Sequence, residues 1–314
     1  GWAEWDPANP KAAWTFHAVS SPDVGGRFTH GLGVGDVDGD GRQDLLMKHG
    51  WWTQPENSRE AWAFTAFAFA QRGGAQMYAY DIDGDGDSDV VTSENAHGYG
   101  LVWFENIAAE EGSQEPFKRH VILGSTAAEN EHSVVIGNLH ALDLVDMDGD
   151  GLLDLVTGAR FWAHGGNDIA DHEPAFLYWF RLQRTTAGAE FIPFLIDEDS
   201  GVGTQVVASD INGDGLPEVI VGNKKGTFVH HHTVEPVTES EYRDRLLKAI
   251  LANKSRITDN RPDGVAATNA EGVALNLGFE TGDLSDWTAT GEAFRGQPIQ
   301  GDTIAERMEP NRSR

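Results

Sequence analysis

Apolar residues along the first two-thirds of the chain come in short runs bounded by turns rich in glycine, aspartate and asparagine. Leu45-Leu46, Val90-Val91, Leu155-Val156 and Val219-Ile220-Val221 are such runs, and each reads as a strand because it is too short for a helix. A second, aromatic-rich run follows three of them, at Gly100 to Glu105, Ala175 to Phe180 and Gly226 to His231. A third recurs at Trp62 to Phe67, Phe117 to Ile122 and Phe191 to Ile196. With the strand that leads into each acidic turn, every unit counts four strands, and the turns begin at Asp36, Asp81, Asp146 and Asp210, 45, 65 and 64 residues apart. That spacing predicts an all-β fold, a β-propeller of four-stranded blades stacked face on face, since no blade buries its two faces alone.

The pattern breaks at both ends. An isolated outer strand, Ala13 to Val19, precedes the first unit, and the last unit stops after its third strand. The isolated strand either completes the last blade and closes a four-bladed ring, which would remove exposed sheet edges, or belongs to an arc of a larger propeller of about seven blades. The opening at Gly1, which reads as a truncation point, favours the arc. The blades are expected over residues 1–235. A helix is expected over 236–253, from the Thr238-Glu-Ser-Glu241 capping pattern and the stripe Tyr242, Leu246, Ala249 and Ile250. A polar linker follows over 254–272. Residues 273–314 resemble the opening strands of a galactose-binding-like β-sandwich and are too few for a complete one, so further domains of a longer parent chain are expected.

The four turns share one chemistry: DVDGDGRQD, DIDGDGDSD, DMDGDGLLD and DINGDGLPE. Positions 1, 3, 5 and 9 offer side-chain oxygens, position 7 a backbone carbonyl, and the glycines at 4 and 6 let the chain curl around one ion. The sets are Asp36, Asp38, Asp40, Asp44 with Arg42; Asp81, Asp83, Asp85, Asp89 with Asp87; Asp146, Asp148, Asp150, Asp154 with Leu152; and Asp210, Asn212, Asp214, Glu218 with Leu216. Calcium suits such a flexible all-oxygen cage, and carboxylates packed this closely repel one another without a cation. One calcium per loop, four in all, is expected. Asn212 and Glu218 make the fourth loop the weakest.

The formal net charge of −27 argues against nucleic acid or an anionic membrane as partner, and no apolar run is long enough to span a bilayer. Low-affinity calcium loops favour the calcium-rich space outside the cytoplasm, so an extracellular or periplasmic location is expected. Cysteine is absent, which leaves redox compartment unread.

The four DxDGDGxxD-type loops, each before a strand, resemble the FG-GAP or VCBS repeats of integrin-α-like β-propellers over roughly residues 13–232. The resemblance implies a calcium-stabilised module, often extracellular, serving adhesion or carbohydrate-linked functions. The segments Thr29 to Asp36 and Lys48-His-Gly-Trp-Trp52 are also similar to the propeller of aldos-2-ulose dehydratases and of planctomycete-type multidomain proteins, which implies metal-assisted elimination of water from keto-sugars.

Topology singles out a second region. If each calcium loop joins strands one and two, the start of strand one and the end of strand two emerge together at the opposite face. His30, Gln76, His140 and Gln205 fall at the entries, and Lys48, His49, Glu94, His97, Arg160, His164, Lys224 and Lys225 at the exits. Imidazoles and carboxylates meeting at a channel mouth can hold zinc or another transition metal, and Lys48 and Arg160 can hold a sugar acid or an enolate. His30, His140, Glu94, Lys48 and Arg160 are the candidates for chemistry. A purely structural role, each histidine bonded to backbone, competes with that reading, and Trp51, Trp52, Trp103 and Trp179 read as blade packing. Two functions follow: a recognition module for carbohydrate or protein, or a metal-dependent sugar lyase acting at the channel mouth.

Overall fold

The computed structural model describes residues 1–258 apart from 23, 25–28, 71, 110–112 and 187. The stretch 259–272 expected as linker and the sandwich segment 273–314 lie outside the described residues.

A short hairpin, β1 (Trp2–Glu4) and β2 (Thr15–His17), precedes four blades. The first blade is β3 (Leu32–Gly35), β4 (Asp44–Met47), β5 (Gly50–Thr53) and β6 (Ala63–Ala66). The second is β7 (Met77–Tyr80), β8 (Asp89–Ser93), β9 (Leu101–Asn106) and β10 (Phe117–Leu123). The third is β11 (Leu142–Val145), β12 (Asp154–Gly158), β13 (Leu177–Thr185) and β14 (Gly188–Asp197). The fourth has β15 (Val206–Ser209), β16 (Glu218–Asn223) and β17 (Gly226–His230). Within each blade the strands run antiparallel in chain order, and an acidic loop joins the first to the second. The fold is an all-β propeller arc.

Neighbouring inner strands run parallel, as radially repeated blades must. β3 pairs with β7 in register Gly33 to Met77, and a β-carbon at Gly33 would overlap the Met77 carbonyl, so that approach needs glycine. The Tyr78 hydroxyl donates to the Leu142 carbonyl at 3.0 Å, and Asp143 accepts the Ala208 amide at 2.7 Å, which ties the second, third and fourth inner strands in sequence.

The strand period of two sends alternate residues into different interfaces. Val90, Val102 and Phe104, with Met77 of the same blade, face the first blade and pack with Leu46 and Trp51. Val91, Leu101 and Trp103 face the third and pack with Leu155, Tyr178 and Phe180. Val156 and Leu177 turn the other way, onto Val206, Val219 and Val221 of the fourth blade. Three cores therefore cement four blades, and each fully buried Val, Leu or Phe in them contributes roughly 1.5–3 kcal/mol.

The outer faces of the first and fourth blades have no such partner among the described residues. Val34 is 54% exposed and Phe64 45%, beside the partly buried Leu45 and Trp52. Across the arc Val207 and Val229 are 42% and 44% exposed. The strand expected over Ala13 to Val19 forms as β2, but its partner is β1, and β17 pairs with β16 alone among the described strands. β2 does not complete the last blade.

Helix α1 (Glu239–Thr258) starts where the capping pattern predicts: the Glu241 amide donates to Thr238 Oγ1 at 3.3 Å and the Thr238 amide to Glu241 Oε2 at 2.8 Å. It runs to Thr258, past the boundary expected at residue 253, and the buried Asn253 docks it by donating to the Pro193 carbonyl of β14 at 3.2 Å.

Candidate functional site

At the loop end of the blades each acidic turn repeats one geometry. The glycines at positions 4 and 6 have positive φ in all four, for example 75° at Gly39 and 84° at Gly41. The first carboxylate then accepts their amides: Gly39 and Gly41 to Asp36, both at 2.9 Å, with matching bonds onto Asp146 and Asp210. The ninth residue is buried. Asp44, Asp89 and Asp154 each accept the amide of position 2 with one oxygen and an amide of the neighbouring third strand, or the Gln54 amide just beyond it, with the other.

Ligand atoms of Asp36, Asp38 and Asp40 lie within 4.8 Å of one another, as do those of Asp81, Asp83 and Asp85, and of Asp146, Asp148 and Asp154. Burial pushes the carboxyl of Asp89 up to about 7, that of Asp154 to about 6 and that of Asp87 to about 6. One oxygen of Asp87 is buried without a hydrogen-bond partner. Oxygen donors this dense, with one left unsatisfied, fit a hard cation of the calcium kind. The fourth loop differs, because the Asn212 amide donates to Asp214 at 3.0 Å and to Glu218 at 2.8 Å and so neutralises part of the repulsion a cation would relieve.

The opposite end gathers residues from three blades. His30 precedes β3, His97 sits in the loop after β8, and His140 stands just before β11; the loop between β12 and β13 brings Arg160, His164 and Asp168. One ring nitrogen from each of His30, His97 and His140 lies within 4.8 Å of the other two, and the ring centroids are 4.6–5.1 Å apart. His30 Nε2 and His97 Nε2 stand 3.1 Å apart. Two nitrogens each about 2.0–2.1 Å from one tetrahedral ion would be separated by about 3.3 Å, close to that spacing.

Asp168 orients the group. Its carboxylate meets His97 Nδ1 at 2.8 Å and His164 Nδ1 at 2.9 Å, so the Nε2 atom of His97 is left for the cluster. This is the outer-shell carboxylate–histidine arrangement typical of metal sites. Burial works against the Asp168 charge, but these two bonds outweigh it and hold its carboxyl below the usual range. His164 and Asp168 also form, with His97, a second group of ligand atoms within 4.8 Å. His140 Nδ1 is buried and has no hydrogen-bond partner. Burial, then the Arg160 charge, push His140 down to about 3, and burial with the neighbouring His97 lowers His30, so both rings are neutral and able to ligate at ordinary pH.

One buried side pair builds the floor. Asn138 sits at φ 54°, donates its backbone amide to the Gly98 carbonyl at 2.6 Å, and accepts the amides of His140 and Arg160 on its own carbonyl at 2.8 and 3.0 Å. Its side-chain amide donates to Asp171 at 2.9 Å. Asp171, also buried, accepts the amides of Ala163, Gly166 and Asp168 as well. Two residues thus fix the three loops that deliver His97, His140 and the pair His164–Asp168.

The structure brings His30, His97, His140, His164 and Arg160 together and leaves Glu94 apart. Glu94 makes a two-pronged ion pair with Arg119 at 2.7 and 2.8 Å and lines a separate cleft with Tyr99 and Glu129. The carboxylate that meets the histidines is Asp168. Lys48 lies near enough for its charge to act on His30. Lys224 donates to the carbonyls of Trp162 and Ala163 at 2.7 and 3.1 Å, Lys225 pairs with Asp199, Gln76 bonds Gln205, and His49 is exposed on its turn. The tryptophans serve packing: Trp51 and Trp103 are buried, and Trp179 donates to Asp154 at 2.8 Å. Asp168, Asp171 and Asn138 escape sequence reasoning; the nearest signal is the spacing of His164, Asp168 and Asp171 in one loop.

An FG-GAP-like repeat family model matches residues 146–221, from the first aspartate of the third acidic loop to the end of the β16 core. No curated protein matches the chain. The matched span covers one period from loop to loop, so an FG-GAP-like repeat is supported there.

Proposed function

We propose that these blades form a calcium-stabilised recognition module whose working face is the histidine-lined end, with a transition metal such as zinc held by His30, His97 and His140. The observation that carries this reading is the convergence of three imidazole nitrogens from three blades within 4.8 Å, backed by Asp168. Three protein ligands leave an open position, the mark of sites that engage a ligand rather than only brace a fold. When bound, such an ion would polarise a carbonyl or hydroxyl oxygen of the ligand. A carbohydrate or a protein side chain offers such oxygens. The calcium loops favour a location outside the cytoplasm, and the charge of −27 speaks against nucleic acid.

A second reading, a metal-dependent sugar lyase, is favoured by His164. Asp168 binds its Nδ1, which leaves Nε2 as the ring nitrogen that could take up or return a proton.

Metal analysis after exposure to zinc in calcium-containing buffer tests the proposal. One tightly held zinc, lost in His30→Ala and His140→Ala while the calcium-dependent melting temperature stays within a few degrees, is the expected result. Loss of melting temperature equal to the loss of binding would make the histidines structural. Turnover of a keto-sugar by the zinc form would select the lyase, and binding without turnover the module.

A further inference from the structure

Arg160 stands apart among the partly buried arginines of the described residues. Seven other described arginines have a carboxylate within 4.0 Å. Among the described residues Arg72 has none and is exposed; Arg160 also has none and is partly buried. In a chain with 50 acidic residues against 23 basic ones, an unpaired, half-buried guanidinium is the costlier and less expected arrangement.

The nearby carboxylates are engaged elsewhere. Asp168 is shared by His97 and His164, and Asp171 accepts Asn138, Ala163, Gly166 and Asp168. The Arg160 backbone is fixed by the Asn138 carbonyl and by a bridge to Val202, so the root of its side chain is held beside His140 and His30. Lys48 adds a second cation next to His30, also without an ion pair among the described residues. A planar fork of donors with no acceptor among the described residues, standing beside a cluster of imidazoles, is built for a planar anion.

We infer that the ligand of this face is an oxyanion of the carboxylate class, gripped by Arg160 while a neighbouring oxygen reaches the His30–His97–His140 cluster. A hydroxy acid, a sugar acid or an acidic side chain of a partner protein shares this chemistry. The inference deepens the metal-centred reading, yet the Arg160 half of the grip does not require the metal.

The test titrates glycolate, and ethylene glycol as its neutral counterpart, into calcium-replete protein with and without one equivalent of zinc. The readout is the ring signals of His30 and His140 by nuclear magnetic resonance. Glycolate is expected to shift them to saturation and ethylene glycol to leave them unmoved. Arg160→Gln should raise the half-saturating glycolate concentration about tenfold or more, with Arg160→Lys between the two and zinc content unchanged in both. No response to glycolate up to about 100 mM, or saturation of Arg160→Gln at the parent's concentration, would overturn the inference. If zinc does not bind at all the metal-centred reading fails by itself, and the zinc-free titration still decides the role of Arg160. An acidic peptide in place of glycolate then separates a protein partner from a sugar acid.

Discussion

Asp168 and Asp171 stand three residues apart in one loop and do different work. Asp171 is buried and holds four donors, so Asp171→Ala strands them and is expected to cost about 2–4 kcal/mol in a denaturant melt. Asp168 touches mainly the two imidazoles. Asp168→Ala is expected to weaken zinc binding about 10–100-fold while the melt moves by less than about 1 kcal/mol; a large stability loss there would show that Asp168 is a structural brace. His30, His97, His140 and His164 were legible because strand order alone sends entries and exits to one face. The two aspartates and Asn138 were not. They lie in loops without periodicity, and their roles exist only once three loops from different blades have met. Glu94 had the right position just past the end of strand two, but Arg119 on β10, the blade's outermost strand, captures it.

At the scale of the element, the acidic turns were readable almost in full, since spacing fixes which oxygens converge and glycine fixes where the chain turns back. What spacing could not reveal is the local competition for those oxygens. Arg42 reaches Asp40, Arg184 of the third blade reaches the second loop at Asp81, and Arg181 bonds Asp148 and Asp150. Asn212 supplies its own donors in the fourth loop. In calcium-free protein the raised carboxyls of Asp89, Asp154 and Asp87 keep protons that the unfolded chain sheds near 4. The native state binds more protons between about pH 4 and 7, and its stability falls as pH rises through that window. Calcium needs the ligating carboxyls of Asp89 and Asp154 ionised. The melting-temperature gain on adding millimolar calcium should therefore be small near pH 5 and reach its full size above about pH 7. A gain that is flat with pH would count against these loops as the binding sites. Asn212→Asp should tighten the fourth site, seen as an additional calcium bound below saturation, whereas Asp38→Ala should remove one site, worth roughly 2–3 kcal/mol at high calcium.

At the scale of the whole run of blades, three interblade cores are complete and two outer faces are not. Exposed apolar sheet faces, and edges such as β17 that have no outer partner among the described residues, invite association. Sedimentation should show concentration-dependent self-association of this chain, relieved by Val34→Asp together with Val229→Asp; both positions are half exposed, so the melt should change by under about 1 kcal/mol. A parent chain that is monomeric at all concentrations would mean that these faces are covered. The spacing of the acidic turns and strand runs predicted the blades correctly. It could not fix how the isolated N-terminal strand is paired, because β1 is only three residues long and leaves almost no periodic signal.

The floor residue Asn138 and the three histidines have a consequence for how such a protein can change over time. Repeat architectures ordinarily tolerate duplication or loss of a unit, because each unit touches only its neighbours. Here one constellation draws on three successive units at fixed angular steps, His30 from the first, His97 from the second, His140 from the third. Deleting or inserting a blade among them would still yield a foldable stack and would silence the constellation. The first three units are thus locked into a single inherited block, while the fourth contributes no imidazole and only braces the rim, through the Arg160–Val202 bridge and the Lys224 bonds onto Trp162 and Ala163.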